Sequence, residues 1–335
     1  MLKNITNISP WRFCMAPMMQ HTDRHFRYLA RRLSRHTRLY TEMVVATAIL
    51  RGEASRFLAY DPSESPVALQ LGGSVPAELA AAARLGEDAG FCEINLNVGC
   101  PSDRVQSGRF GACLIAEPAL VADCVAAMLA VVRVPVTVKT RLGVDDCDSY
   151  EHLARLVGVL QEAGCRTIIL HARKALLNFS PRANREIPPL DYARVYAIKQ
   201  QFPSLTVVIN GGIGTLEAAR AHLSQVDGVM LGRAAYAQLT LLQTVDQELF
   251  GEASAAPDER TLLCGLREYL EREVARGTAL RHMTKHWLGL RQGQPGAREW
   301  RRQIGRHTMR PDLSVSQAID EAIAMLDVAA RERAA

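Results

Sequence analysis

Residues 206–233 read TVVINGGIGTLEAARAHLSQVDGVMLGR. An apolar run ends in Asn210 and is followed by a glycine turn. Helical spacing then covers Leu216–Leu223, and a second apolar run, Gly228–Leu231, closes on Gly232 and Arg233. Runs that stay apolar without alternating are the mark of parallel strands buried on both faces. The same pattern recurs upstream in VTVKT (136–140) and TIILH (167–171), each polar only at its C-terminal end. Further strands are expected at Phe13–Ala16, Leu39–Glu42, Val67–Leu71 and Glu93–Leu96, and helices at Pro76–Ala89, Pro118–Val132 and Ser149–Glu162. Eight β/α alternations in about 240 residues match an α/β TIM (β/α)8 barrel in count and size. A doubly wound open sheet is the alternative. The barrel is preferred because Met18, Glu42, Gln70, Asn97, Lys139, Arg141, His171, Asn210 and Arg233 all fall where strands end. In a barrel those ends share one face, the face on which active sites form.

The barrel is expected over residues 1–245. Gly251–Pro257, GEASAAP, reads as a small-residue linker, and an all-helical domain is expected over 250–335. Helical periodicity covers Arg260–Arg276 and Ser316–Ala330, the second starting from caps at Ser314 or Ser316.

The bulk numbers exclude several classes. The 335 residues are 48% hydrophobic and 22% charged, ordinary values for a globular chain, with a formal net charge of +5. Met1–Arg12 lacks the apolar core of a signal peptide, and no stretch is long and apolar enough for a membrane span. The eight cysteines, at 14, 92, 100, 113, 124, 147, 165 and 264, include no C-x-x-C pair. Neither a disulfide framework nor a metal site is expected, and a cytoplasmic, monomeric protein is.

Four groups of residues point to chemistry. In EINLNVGCPS (93–102) a strand with polar Asn95 and Asn97 runs into a Gly-Cys-Pro turn, which places Cys100 over the barrel mouth. Most cysteines are apolar filler, but this punctuation favours a reactive role. NGGIG (210–214) and Gly232-Arg233 are glycine turns after the last two strands, where barrels often bind phosphate. They also suit ordinary tight βα loops. Lys139 can hold negative charge beside a reduced flavin, and His171 reads equally as ligand-binding or structural. Finally, residues 281–310 carry eight bases (Arg281, Lys285, Arg291, Arg298, Arg301, Arg302, Arg306, Arg310) against one acid, Glu299, with Trp287 and Trp300 interleaved. That balance favours RNA phosphates over a mixed-sign solvated face, and the aromatics suit base stacking. The arginines from Arg24 to Arg38 form a second, less decisive cluster.

Together MAPM (15–18), YTEM (40–43), EINLNVGCPS, VKTRLG (138–143), HARK (171–174), NGGI (210–213) and MLGRAAY (230–236) closely resemble the tRNA-dihydrouridine synthase family. SPRANREIPPLDY (180–192) is similar to its A subfamily, which acts on D-loop uridines near position 20. The resemblance spans about Arg12 to Asp327. It implies an FMN-bearing barrel, NADPH as reductant and a C-terminal helical domain that holds tRNA. Ala16, Pro17 and Met18 would lie against the isoalloxazine ring, with Gln70 at its polar edge, Lys139 at its anionic side and His171 in contact. Asn210, Gly211, Gly212, Gly232 and Arg233 would bind the phosphate end. Cys100 would be the general acid, Asn97 would lie near the target uracil, and Arg182, Arg185, Arg298 and Arg301 would contact tRNA. The implied reaction sends hydride to C6 of an extruded uridine and a proton from Cys100 to C5. One departure is the stretch LLNFSPR (176–182), shorter than the subfamily pattern and lacking its aromatic after HARKA. Two other classes stay open: a flavin barrel enzyme on a free pyrimidine, resembling dihydroorotate dehydrogenase, and a non-catalytic tRNA-binding protein.

Overall fold

The computed structural model describes residues 8–307 and 309–334, without the side chains of 329–334. The leaderless reading of Met1–Arg12 therefore falls mostly on residues 1–7, outside the described residues. Nine strands run in chain order: β1 (Phe13–Met15), β2 (Leu39–Tyr40), β3 (Val44–Val45), β4 (Val67–Gly72), β5 (Glu93–Val98), β6 (Val136–Arg141), β7 (Thr167–His171), β8 (Thr206–Asn210) and β9 (Gly228–Leu231). All pairings among them are parallel, in the order β1-β9-β8-β7-β6-β5-β4-β2, with β3 added beside β4. The sheet closes on itself. Cys14 bridges Arg38, Met15 N donating to Arg38 O at 2.9 Å and Arg38 N to Phe13 O at 3.0 Å. This is the expected barrel, and an open sheet is excluded.

Most strands start or end within one or two residues of expectation, and one is broken. The Leu39–Glu42 run pairs as a strand only over Leu39–Tyr40: Thr41 N still donates to Ala68 O at 2.9 Å, but the Thr41 hydroxyl then takes the Gln70 amide of β4 and Glu42 turns to the Gln20 backbone. Thr41 Oγ1 accepts from Gln70 N at 3.0 Å, and Glu42 accepts from Gln20 N. The chain rejoins the sheet as β3 two residues later.

Helices coat the outside as the periodicity requires. Pro76–Asp88, Pro118–Leu129 and Tyr150–Glu162 bury Leu79, Val121, Val125, Leu153, Leu156 and Leu160 against the strands. Ser149 caps the third, accepting from His152 N at 3.1 Å, which makes it the boundary rather than the first helical residue. Inside the barrel the apolar filling is small: Cys14, Ala16, Tyr40, Ala68, Ile169, Val208 and Met230. The rest of the interior is polar, since β5 turns Glu93, Asn95 and Asn97 toward Gln70 of β4 and toward Thr137 and Lys139 of β6.

After helix Thr240–Phe250 the chain is helical, with Glu259–Gly265, Arg267–Ala275, Ala297–His307 and Val315–Ala334 as its main elements. The single helix expected over Arg260–Arg276 divides at Gly265–Leu266, consistent with the poor helix propensity of glycine. Ser314 caps the last helix, its Oγ accepting from Gln317 N at 3.2 Å while Gln317 Oε1 accepts from Ser314 N at 3.0 Å. These helices dock on helix Arg24–Leu33 of the barrel. Tyr269 stacks on Tyr28 at 3.7 Å, His25 meets Tyr269 Oη at 2.7 Å, and Arg24 pairs with Glu273 at 2.5 Å. Among the described residues no helix is long and apolar enough to cross a membrane, and no group of three or more His, Cys, Asp or Glu could hold a metal.

Candidate active site

At the C-terminal ends of the strands the predicted residues fall into connected pairs. Met18 and Ala16 follow β1. A Cβ on Gly232, after β9, would sit 3.3 Å from Met18 Sδ and 3.5 Å from Ala16 Cβ, so these two loops touch. Ala16 N donates to Leu231 O at 2.7 Å, and Pro17 follows at the rim, half-buried. On the opposite side Gln70 is buried, and its Oε1 accepts from Asn97 Nδ2 at 2.9 Å. Asn97 Oδ1 accepts from both Gly99 N (3.1 Å) and Cys100 N (3.0 Å), which fixes the turn carrying Cys100. The half-buried Cys100 thiol lies 3.4 Å from Ser102 Oγ.

Between these sides lies a concentration of positive charge. Lys139 Nζ donates to Asn210 Oδ1 at 3.1 Å, and Asn210 Nδ2 donates to Met230 O at 2.7 Å. Burial, then the nearby Arg141, push the Lys139 amine down to about 7. His171 is held neutral well below the ordinary imidazole range, first by burial and then by Arg141, Lys139, Arg173 and Arg233. The main causes of both shifts are burial and neighbouring cations, with no carboxylate among them. Arg233 is exposed and forms no ion pair among the described residues, and Arg185 Nε is buried without a hydrogen-bond partner. A cationic basin without a counter-carboxylate is suited to an anionic ligand.

The glycine turn after β8 belongs to the same basin. Gly211 and Gly212 have φ of 112° and 69°, and a Cβ on Gly211 would lie 2.7 Å from His171 Cδ2. Only glycine lets the backbone lie flat against that imidazole. The helix behind the turn starts at Leu216, where its spacing predicts, with Thr215 Oγ1 accepting from Ala218 N at 3.1 Å. The turn therefore offers the ligand its glycine backbone, not the first turn of the helix.

Sequence reasoning noticed Arg141 but gave it no role. It is buried and clamps two loops, donating to Gly99 O (2.9 Å) after β5 and to Lys174 O (3.0 Å) and Asn184 O (3.1 Å) after β7. Asn184, within the 176–188 loop, donates to Leu176 O, Phe179 O and Ser180 O. Gln106 joins this loop to the Cys100 turn through Pro101 O (2.9 Å) and Leu177 O (2.8 Å). A buried Arg between two barrel loops could have been inferred from its place directly after the expected strand end, where it closes β6.

The basic residues divide. Arg298 and Arg301 are exposed on helix Ala297–His307 beside Arg302 and Arg306, while Arg182 is exposed and pairs with Glu186 at 3.4 Å. Arg291 is buried instead, donating to Pro295 O at 2.8 Å. Trp287 and Trp300 are also buried, each 1% exposed, with Trp300 Nε1 donating to Trp287 O at 2.7 Å. They form the core of the helical region and are not stacking surfaces. The Arg24–Arg38 cluster divides as well: Arg27 and Arg38 are buried, pairing with Glu64 at 2.8 Å and with Glu93 at 3.0 Å, while Arg32 and Arg35 are exposed.

The family model for "Dihydrouridine synthase (Dus)" matches residues 14–325. The chain belongs to the dihydrouridine synthase family. Its relatives include the tRNA-dihydrouridine(20/20a) synthase of Vibrio vulnificus, 53% identical over 94% of this chain and 97% of that protein. The protein of the same name from Escherichia coli is 55% identical over 91% of this chain and 89% of its own length. The Pseudomonas aeruginosa protein is 56% identical over 88% and 89%. Among solved structures, a 2-naphthoyl-CoA reductase complex superposes with a TM-score of 0.55 at 10% identity, covering 73% of this chain. The chain spans about half of that reductase (51%), and the likeness is one of fold. As a dihydrouridine synthase the protein is an enzyme, and its barrel mouth is where the family chemistry must be sought.

Proposed function

We propose that this dihydrouridine synthase is a flavin-dependent tRNA-dihydrouridine(20/20a) synthase. It reduces the C5=C6 bond of D-loop uridines with FMN as cofactor, NADPH as reductant and Cys100 as general acid. The observation that carries the reading is the basin of Lys139, Arg141, Arg173 and Arg233 around a neutral His171, beside the Cys100 turn. The residues present fit FMN: a cationic basin without a carboxylate suits a phosphate and an anionic ring, and Gly211 and Gly212 clear the approach. The name shared by relatives at 53–56% identity supports tRNA as substrate.

Ala16, Pro17 and Met18 form the wall against the ring, Gln70 bonds its polar edge, Lys139 stands at its anionic side and His171 contacts it. Asn210, Gly211, Gly212, Gly232 and Arg233 hold the phosphate end. When bound and reduced by NADPH, the flavin supplies a hydride for C6 of the uracil. Asn97 orients the uracil, and the Cys100 thiol gives its proton to C5 from the opposite face, leaving a thiolate that regains a proton from water. The target uridine must leave its stack to reach this recessed site. Residues 1–245 form the FMN-binding catalytic domain and 250–335 the helical tRNA-binding domain. Arg182, Arg185, Arg298 and Arg301 contact tRNA phosphates. The free state of all eight cysteines in the structure suits a reducing cytoplasm, where the protein works as a monomer.

The test is an absorption spectrum of the purified protein followed by NADPH addition without oxygen, with and without unmodified tRNA. The expected result is a yellow protein, bleached by NADPH and recoloured by tRNA. A protein that stays colourless with added FMN would overturn the proposal, and recolouring by free uracil or orotate in place of tRNA would favour the free-pyrimidine reading.

A further inference from the structure

The polar face of β5 forms one continuous chain of hydrogen bonds from the barrel interior to the Cys100 turn. Glu93 Oε1 accepts from Thr137 Oγ1 at 2.5 Å, and Thr137 Oγ1 accepts from Asn95 Nδ2 at 2.8 Å. Asn95 Oδ1 accepts from Gln70 Nε2 at 2.8 Å, and Gln70 Oε1 from Asn97 Nδ2 at 2.9 Å. Asn97 Oδ1 closes the chain on Gly99 N and Cys100 N. Gln70, Glu93, Asn95 and Thr137 are all buried.

Both ends dictate the same direction. The backbone N–H groups of Gly99 and Cys100 only donate, so Asn97 turns its oxygen to them and its nitrogen to Gln70. At the other end a carboxylate only accepts. Glu93 takes bonds from Trp11 Nε1 (2.8 Å), Tyr40 Oη (2.9 Å) and Arg38 (3.0 Å), so Thr137 directs its single proton there and must accept from Asn95. Flipping one amide would set N–H against N–H, or oxygen against oxygen, at the next joint. In this dry interior such a joint is costly, so the three amides share one polarity. Each amide nitrogen has two hydrogens, and one of each on Gln70 and Asn97 has no bonded acceptor among the described residues.

We propose that Glu93, Thr137 and Asn95 are positioning residues that set the polarity of the active-site amides. Through them the mouth presents two N–H donors, from Gln70 and Asn97, to carbonyl oxygens of a planar heterocycle, while Asn97 Oδ1 anchors the Cys100 turn. The identity of the heterocycles, flavin and uracil, rests on the function proposed above; the polarity of the chain does not.

The variants are Thr137→Val, which removes the hydroxyl at nearly constant shape, and Thr137→Ser, which keeps it. Alkylation of Cys100 by iodoacetamide is followed in FMN-free protein, resolved from the other cysteines by peptide mass spectrometry. FMN affinity, the absorption band of bound FMN and turnover with unmodified tRNA are measured alongside. In Thr137→Val, Cys100 alkylation rises about fivefold or more and FMN binds about tenfold more weakly with a shifted band, the scale of one lost hydrogen bond. Turnover falls by at least about tenfold while KM for tRNA stays within about twofold, and Thr137→Ser restores every value. Wild-type behaviour of Thr137→Val, or no rescue by serine, would overturn the proposal. Altered alkylation with no FMN binding by any form, wild type included, would keep the positioning chain and overturn the flavin reading.

Discussion

Asn210 Oδ1 accepts the hydrogen bond of Lys139 Nζ at 3.1 Å, and among the described residues no carboxylate pairs with that amine. Buried and beside Arg141, the amine sits at about 7 in place of its ordinary 10.5. An anionic ligand would restore the charged form, so its binding takes up a proton.

FMN is therefore expected to bind more weakly as pH rises from 7 to 9. Over that range the phosphate is already dianionic, and the free site loses its Lys139 proton. Fluorescence quenching titrations should give a Kd that climbs with pH. Lys139→Met should bind more weakly throughout, with most of the slope gone. In the ligand-free protein the sign for stability is opposite. The unfolded chain binds the lysine proton more tightly, so the Lys139 contribution to stability rises between pH 7 and about 10. Chemical denaturation of wild type against Lys139→Met reads that difference.

Cys100→Ala should keep FMN and tRNA affinity while turnover falls by about 10²–10⁴-fold, the range of a lost general acid. Full turnover would remove Cys100 from the acid role, whatever the flavin does.

Gly211→Ala places a Cβ 2.7 Å from the His171 ring at φ 112°. The strain is worth about 1–3 kcal/mol and presses on the neutral imidazole, so FMN affinity should fall by at least about tenfold. Thermal melting with and without FMN separates the stability cost from the binding cost.

Arg298→Glu and Arg301→Glu lie on an exposed helix face remote from the basin residues in sequence. Each should weaken tRNA binding and lower the slope of log affinity against log salt by about one, leaving the FMN spectrum unchanged. Trp300→Ala should behave in the opposite way. It removes a side chain 1% exposed and bonded to Trp287 O, costing about 3–5 kcal/mol of stability through packing.

The barrel was legible because its evidence is local. TIILH and GVML (228–231) are strands at their expected bounds, and β6 exceeds its own by one residue, Arg141. The basin was legible too, since strand ends converge in a closed barrel wherever the exact bounds fall. What could not be read was orientation. Eight bases in 30 residues look alike in sequence, yet Arg291 turns inward and Arg298 outward, and helix packing alone decides which. The tryptophans failed for the same reason, their large apolar area being worth more in a core than on a surface. The polar interior had a visible signal that was passed over. Glu93, Asn95 and Asn97 alternate with Ile94, Leu96 and Val98, a period of two that assigns the three polar residues to one face. The departure at LLNFSPR gave no hint of Asn184, which gathers that loop around its own amide.

Asp23 caps helix Arg24–Leu33 through His25 N and Phe26 N at 3.0 Å and also receives His286 at 2.9 Å and Lys285 at 2.8 Å. Burial opposes its charge, but the bonds from His286, Lys285 and the Phe26 amide hold the carboxyl well below the usual carboxylate range. One side chain thus rivets the helical region to the segment that leaves Met18 at the barrel rim. On the function proposed above, tRNA held by the exposed arginines would meet Cys100 across this one joint, so Asp23 would act as the pivot of a caliper whose two jaws are the helical region and the barrel mouth.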